Sequence, residues 1–423
     1  MRKILIVGAG QSGLQLALGL LAEDYDVTLV DPRGPDEIRT GRVMSTQCLF
    51  GPALRRERRH GLALWDDLAP EVTGVGVRVT RREGGSTPEV GWVGRLSEPA
   101  RSVDQRLKMA AWSELFVQGG GRFLRHRVSS VELETLGAGY DLVVVAAGRG
   151  ELAEVFPRDE RRSPFQEPQR ALSMAYVSGG ESRPGGGVLS RTAIPGVGEV
   201  FTLPTYSLNG PCHAVMVEAL PGGPLDGPLP PGTTGEDLLA GLLDVLRRYA
   251  PWEYELFAHA RLADPMAALY GGYTPVVREP VAHLPGGALV WGMADAVVTN
   301  DPITTQGANM ASLCAEIYRR AIVDHGARSF DEAFMRAAFA DYWRRARQVT
   351  AWSRVMLSGP NHVWELYRLA ERHQPTADRF ADSFSDPSGL IDWFLHPERA
   401  MEYVDSIRRG RTETSDSPYV RIP

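Results

Sequence analysis

Gly8-Ala9-Gly10-Gln11-Ser12-Gly13 decides the fold: it follows the apolar run Lys3–Val7 and opens a second apolar run, Leu14–Ala22. A further strand-like run, Asp26–Val30, then ends at Asp31. Strand, glycine turn, helix and strand in that order make one βαβ unit. Gly8 permits the tight turn, Gly10 leaves room for a pyrophosphate, and Gly13 lets the helix pack close to the strand. The phosphates would rest on the helix N-terminus, with Gln11 and Ser12, where unpaired N–H groups and the helix dipole favour anions. Asp31 stands near the spacing at which a carboxylate binds an adenosine ribose hydroxyl, and its charge opposes the 2′-phosphate of NADP. The turn alone does not choose between FAD and NAD.

Working outward, Asp141–Ala147, closing at Gly148, reads as another parallel strand of the same sheet, returning after an insertion. The choice of FAD rests on Trp291-Gly292-Met293-Ala294-Asp295, far downstream of where an NAD domain would have ended. A late strand closing in Gly-x-x-Asp is what the glutathione-reductase type of FAD fold uses to hold the ribityl chain through a carboxylate, here Asp295. Asp301-Pro302-Ile303-Thr304-Thr305-Gln306-Gly307-Ala308-Asn309 then opens a helix whose first amides would face the flavin pyrimidine and stabilise the charge of reduced flavin.

Between these segments, from about residue 164 to 278, the texture is short β runs broken by Pro and Gly. Val200–Tyr206 and Cys212–Ala219 flank Asn209-Gly210, a pair suited to a tight hairpin. A Pro- and Gly-rich cluster stands at 179–187, and the Pro- and Gly-rich stretch at 222–232 reads as a surface loop. From 331 to 409 the spacing of Phe334, Phe339, Trp343, Trp352, Trp364 and Tyr367 predicts several helices, with the aromatics as core. The fold expected is therefore α/β: a glutathione-reductase-type, Rossmann-like FAD-binding fold with an inserted β-rich substrate domain and a helical C-terminal region. The first FAD-binding part spans 1–163 with an insertion around 76–100, the β-rich domain 164–280, the returning FAD segment 281–330 and the helical region 331–423.

Composition narrows the partners. At 423 residues the chain is long enough for two or three fused units, and 43% hydrophobic with 23% charged residues describes a folded globular protein. A balance of 46 Lys+Arg against 52 Asp+Glu, with no basic stripe, argues against nucleic acid. No run reaches the length of a membrane span, and the N-terminal apolar run, interrupted by Gln11, Ser12 and Gln15, lacks a signal-peptide cleavage site. Cys48, Cys212 and Cys314 lie far apart and show no metal-site spacing, so no metal is expected and a cytoplasmic setting fits.

The chain resembles the styrene monooxygenases and the related indole monooxygenases over essentially its whole length. The residues that carry the resemblance are DPRGPDE at 31–37, RSVDQRL at 101–107, SPFQEPQRAL at 163–172, LPTYSLNG at 203–210, QGANMAS at 306–312, FADSFSDP at 380–387 and HPER at 396–399. The resemblance implies an oxygenase using FAD as FADH2, together with O2, to form a flavin C4a-hydroperoxide. That species would pass one oxygen to a small aromatic substrate, epoxidising or hydroxylating it. It also implies a separate NAD(P)H-dependent flavin reductase as partner and a homodimer. Hydroxylases that bind NAD(P)H themselves carry an Asp-Gly motif after the third FAD strand, where this chain reads Ala147-Gly148-Arg149-Gly150-Glu151-Leu152.

By the same resemblance, Arg42 and Arg106 are cofactor-contacting residues beside Gly148, Pro302, Gln306, Gly307, Ala308 and Asn309. Met44, Ser45, Tyr206, Tyr270, Ile303, Thr304 and Thr305 line the substrate pocket. Ser45 stands where the styrene enzymes have asparagine, Tyr270 where they have glutamine and Thr305 where they have glycine, so a larger or more polar aromatic than styrene comes into view. The chemistry requires no side-chain base, and no catalytic side chain is assigned. Two other readings stay open: a single-component NAD(P)H-dependent aromatic hydroxylase, and a flavin-binding protein without turnover.

Overall fold

The computed structural model describes residues 1–81, 83–181, 186–225 and 233–415, with side chains to 410. Most of the 222–232 stretch and part of 179–187 lie outside the described residues. Lys3–Val7 is the strand around which the first sheet is built. Asp26–Asp31 runs parallel on one side of it and Leu142–Val145 parallel on the other. Arg122–Arg125 extends the sheet beyond Asp26–Asp31. Leu289–Gly292 joins parallel to Leu142–Val145, and Val281–His283 closes the edge antiparallel. Helices cover both faces of a parallel sheet, so its central strands are apolar throughout and Ile4–Val7 and Leu142–Val145 are buried. Trp291, 0% exposed, stacks on Tyr318 with ring centroids 3.7 Å apart. Such a pair adds about 0.5–1.5 kcal/mol beyond its burial.

A second sheet of eight strands lies in the middle of the chain. Its spatial order is Arg261–Leu262, Ala171–Ser178, Gly210–Ala219, Gly198–Ser207, Gly187–Ile194, Glu71–Val79 and Val90–Arg101, with Ala268–Gly272 also paired to Ala171–Ser178. The segment expected as an insertion around 76–100 is longer than that, and it supplies two full strands of this sheet. Glu71–Val79 pairs parallel with Gly187–Ile194.

Alternation gives this sheet two apolar faces. Met174, Tyr176, Phe201, Leu203, Cys212 and Ala214 pack with Ile303, Trp352 and the helices Asn361–Arg372 and Gln374–Asp382. Ala175, Val177, Val200 and Val215 pack under the helices Gly235–Tyr249 and Pro251–Phe257. The long helix Glu332–Ser358 bridges the two sheets, its first part in the core of one and Trp352 and Met356 in the core of the other. Among the described residues no helix is long and apolar enough to cross a membrane.

Candidate active site

The carboxyl ends of the parallel strands bring Gly8, Asp31, Gly148 and Asp295 to one edge of the first sheet, where ligands of open α/β sheets bind. The three glycines differ in what a side chain would meet. Gly8 has φ +115°, and a Cβ there would lie 2.9 Å from the Ala146 and Ala147 backbone. A Cβ on Gly13 would strike the Gly8 carbonyl. Gly10 has nothing within 4 Å, so its missing side chain serves space outside the protein rather than packing within it. Gly10 also begins the helix Gln11–Leu21 with no side-chain cap, leaving its first N–H groups for an anion.

Asp31, 7% exposed, accepts the Ala9 N–H at 3.0 Å and the Arg33 N–H at 3.0 Å, which aims its carboxylate across the turn. Gln11 is tied down from behind by Glu57 at 3.1 Å, and Glu57 in turn pairs with the buried Lys108. Desolvation holds the Glu57 carboxyl above its ordinary value, with Lys108 opposing the shift.

At the other end of the edge, Gly148 lies so close to Asp295 that any Cβ would overlap it. The Asp295 side chain opens to solvent, yet protein hems it in closely enough that desolvation pushes its carboxyl up to about 6, against the pull of Arg149. Arg149 lies with its guanidinium 4.3 Å from the centre of the Tyr273 ring. Sequence reading passed over it as merely the residue after Gly148.

Two of the three non-glycine residues with left-handed backbone among the described residues also sit here, Ala294 at φ +49° and Thr305 at φ +55°. A branched residue in that conformation is strained, and strain of this kind collects at functional sites. Gln306 starts the helix Gly307–His325 without a side-chain cap, and Gly307 has open space around it. Asn309 faces inward: it accepts the Phe50 N–H at 3.0 Å and donates to the Cys48 carbonyl at 2.9 Å, stapling the 43–50 segment to this helix. Pro302 and Ala308 are half-buried on the same loop and helix. An FAD molecule fits this donor set: an open glycine turn for the pyrophosphate, a buried carboxylate for the ribose, a cleft-facing carboxylate for the ribityl chain, and uncapped amides for the pyrimidine.

The other expected residues divide. Met44 packs against the first core, Ser45 accepts the Tyr176 hydroxyl through its carbonyl at 3.3 Å, Ile303 and Thr304 are buried, and Thr304 meets Ser353 at 3.1 Å. Tyr270 is not with them. It pairs directly with Ser173, so it shares the face of Ala175 and Val177, and it is 41% exposed, whereas its neighbour Leu269 faces the flavin-side core. Tyr206 alternates with Thr205 and Ser207 and likewise stands on the face opposite Leu203 and Cys212. On the other face the sheet presents Met174, Tyr176, Phe201 and Leu203, of which only Leu203 falls within a quoted motif.

Arg106, expected against the cofactor, is 0% exposed and engaged elsewhere. Its guanidinium binds Asp104 at 2.7 Å, Asp264 at 2.7 Å and the Gly41 carbonyl at 3.3 Å, which ties Gly41 and Asp264 to the start of its helix. The donors it would have given a cofactor are already taken by these acceptors. Arg42, next in the chain, is exposed. Among the described residues no group of three or more His, Cys, Asp or Glu could hold a metal ion.

Comparison with known proteins agrees with this geometry. The chain is 32% identical over 420 residues to the styrene monooxygenase StyA of Pseudomonas fluorescens, covering 96% of this chain and 98% of that one. Residues 148–255 match a family model described as "Styrene monooxygenase A putative substrate binding domain". Among solved structures, the flavin-dependent brominase Bmp2 aligns with a TM-score of 0.64 and 14% identity over 96% of this chain and 99% of its own. A flavoprotein/dehydrogenase from Cytophaga hutchinsonii aligns with a TM-score of 0.66 and 10% identity over 97% and 100%. At those identities the two structures speak for the fold alone.

Proposed function

The chain belongs to the styrene monooxygenase family, and on that premise we propose that it is the oxygenase of a two-component system, fed with reduced FAD by a separate NAD(P)H-dependent flavin reductase. It is a flavin-dependent monooxygenase, and the substrate we infer is a small aromatic, styrene-like, indole-like or somewhat larger, which it epoxidises or hydroxylates. The observation that carries this reading is the meeting of two surfaces: an FAD-shaped cradle at the edge of one sheet, and the apolar face of Met174, Tyr176, Phe201 and Leu203 on the other, against Ile303.

Reduced FAD, when bound, supplies the activation of O2 and the transfer of one oxygen atom. The protein's share is binding, orientation and dryness. Gly8, Gly10 and Gly13 with the first amides of Gln11–Leu21 support a pyrophosphate site, and Asp31 a ribose contact. Asp295 supports a contact to the ribityl chain, and the amides at 307–309 a positive end beneath the pyrimidine, which favours the anionic reduced ring. The apolar sheet face holds the arene and keeps water from the reacting atoms. Tyr176, with its hydroxyl on the Ser45 carbonyl and burial holding its pKa well above the ordinary value, stays a neutral wall.

The three buried, unpaired cysteines accord with a cytoplasmic protein, and a homodimer is the assembly we infer from the family. The test is reconstitution. With a flavin reductase, FAD, NADH and a panel of styrene, indole and larger vinylarenes, oxygenated product is expected, and omitting the reductase should abolish it. Undiminished NADH oxidation and product formation without the reductase would replace this reading with that of a single-component hydroxylase.

A further inference from the structure

One end of the eight-stranded sheet carries charge on the face that looks toward the 301–309 loop. Arg170, Arg191, Glu199 and Glu218 share that face, by register, with Met174, Leu189, Phe201 and Met216. Their exposures are 5%, 5%, 6% and 0%. Arg170 is well served: it grips Glu199 with Nε at 2.8 Å and Nη2 at 3.3 Å, and gives Nη1 to the Gln169 carbonyl at 2.8 Å. Arg191 is not. Its Nη1 donates to the Tyr367 hydroxyl at 3.1 Å, its Nη2 reaches Glu199 only at 3.4 Å, and its buried Nε has no acceptor among the described residues.

Glu218 does not make up the difference. Neither of its oxygens has a hydrogen-bond partner among the described residues, and desolvation holds its carboxyl well above the usual range. Asp301, its carboxyl pushed up to about 6, lends its charge to Arg170. Arg191 is thus a buried cation with only a share of one carboxylate, a costly arrangement that an anion would relieve.

A cavity of about 250 Å³ opens beside it. Arg170, Arg191 and Glu199 form its inner end, and Leu220, Trp364 and Tyr367 wall it. Glu218 and Asp301 lie near this charged group, and Asp301 caps the Pro302–Thr304 turn.

We propose that this cavity is a second small-molecule site, for an aromatic carboxylate whose acid group completes the bonding of Arg191 while its ring packs on Trp364 and Tyr367. The volume is below the range of about 300–1,000 Å³ typical of drug-sized ligands, which suits one ring on a short acid arm. A neutral arene would leave the inner end unpaired, and a site that must pair a buried polar group rejects a ligand unable to do so.

The probe is 3-phenylpropanoate, titrated calorimetrically into the full-length, FAD-loaded protein, with 3-phenylpropanamide as the neutral counterpart. One saturable site is expected, the amide binding at least roughly tenfold more weakly. Arg191→Gln is expected to weaken the acid by roughly tenfold or more. Leu357→Trp, which fills the cavity from an apolar lining position, should abolish binding while FAD content and melting temperature hold. If Arg191→Gln does not fold, the second variant carries the test alone. No saturable binding, equal binding of the amide, or an affinity for the acid unchanged in both variants overturns the proposal, and none of these outcomes bears on the monooxygenase reading.

Discussion

The two ends of the flavin cradle were built by different rules. At the pyrophosphate end every requirement is local: a strand, a turn that only glycine can make, a helix N-terminus and an acid at the end of the next strand all fall within Lys3–Asp31. At the substrate end nothing is local. Ser45, Tyr176, Leu203 and Ile303 come from four distant segments, and the face each presents is set by strand register and by the hub that Arg106 makes with Asp104 and Asp264. The first end tolerates almost no substitution. The second is a wall assembled from residues that folding alone brings together.

The sharpest way to break this contrast is Gly10→Val. Because nothing lies within 4 Å of Gly10, the variant should fold with an unchanged melting temperature yet lose FAD affinity by roughly a hundredfold or more, by filling the phosphate space. Retained flavin in a folded variant would remove the pyrophosphate assignment. The next effect is smaller and depends on pH. Asp295 protonates as pH falls through about 6, and the neutral acid is a weaker acceptor, so FAD affinity of the wild type should drop below that pH. Asp295→Asn should bind FAD roughly tenfold more weakly at pH 7.5, with the pH dependence flattened. Fluorescence titration of FAD across pH 5–8 checks both statements, and an Asn variant with the wild-type pH profile would exclude Asp295 from the cradle.

On the wall side, Tyr176→Phe and Tyr270→Ala separate the two faces of the second sheet. Tyr176→Phe should alter the ratio of products from a mixed arene panel while FAD affinity stays within about twofold. Tyr270→Ala, on the opposite face, should leave that ratio unchanged; a shift with Tyr270→Ala alone would mean that the face assignment is reversed. The smallest effect expected is at Thr305. Its left-handed backbone suits glycine, so Thr305→Gly should raise stability by up to about 1 kcal/mol in denaturant melts.

The legibility of the site in the sequence follows the same division. The βαβ unit, the late strand that leads into Asp295 and the hairpin at Asn209-Gly210 announce themselves through backbone chemistry that a linear pattern records. The faces of Tyr206 and Tyr270 were not legible because the face of a residue at a strand end or sheet edge is settled by its pairing partner, Pro211 in one case and Ser173 in the other, which lies elsewhere in the chain. The partners of Arg106 were out of reach for a related reason. A charged residue at a helix start fits a cofactor contact as well as an ion pair, and only the fold shows that Asp264, far along the chain, arrives to claim it. The share of the second sheet contributed by Glu71–Arg101 was hidden because its partner, Gly187–Ile194, is more than a hundred residues away.

The central claim, that the cradle receives flavin already reduced and directs one oxygen atom into an arene on the sheet face, is tested most directly by a single turnover under 18O2. Chemically reduced FAD and the protein are combined with styrene or indole in the absence of NAD(P)H and of any reductase, and the product is weighed by mass spectrometry. The account predicts product carrying one 18O atom, at a yield that approaches the reduced flavin supplied. Flavin reoxidised with peroxide as the only oxygen product, or unlabelled product, would contradict it.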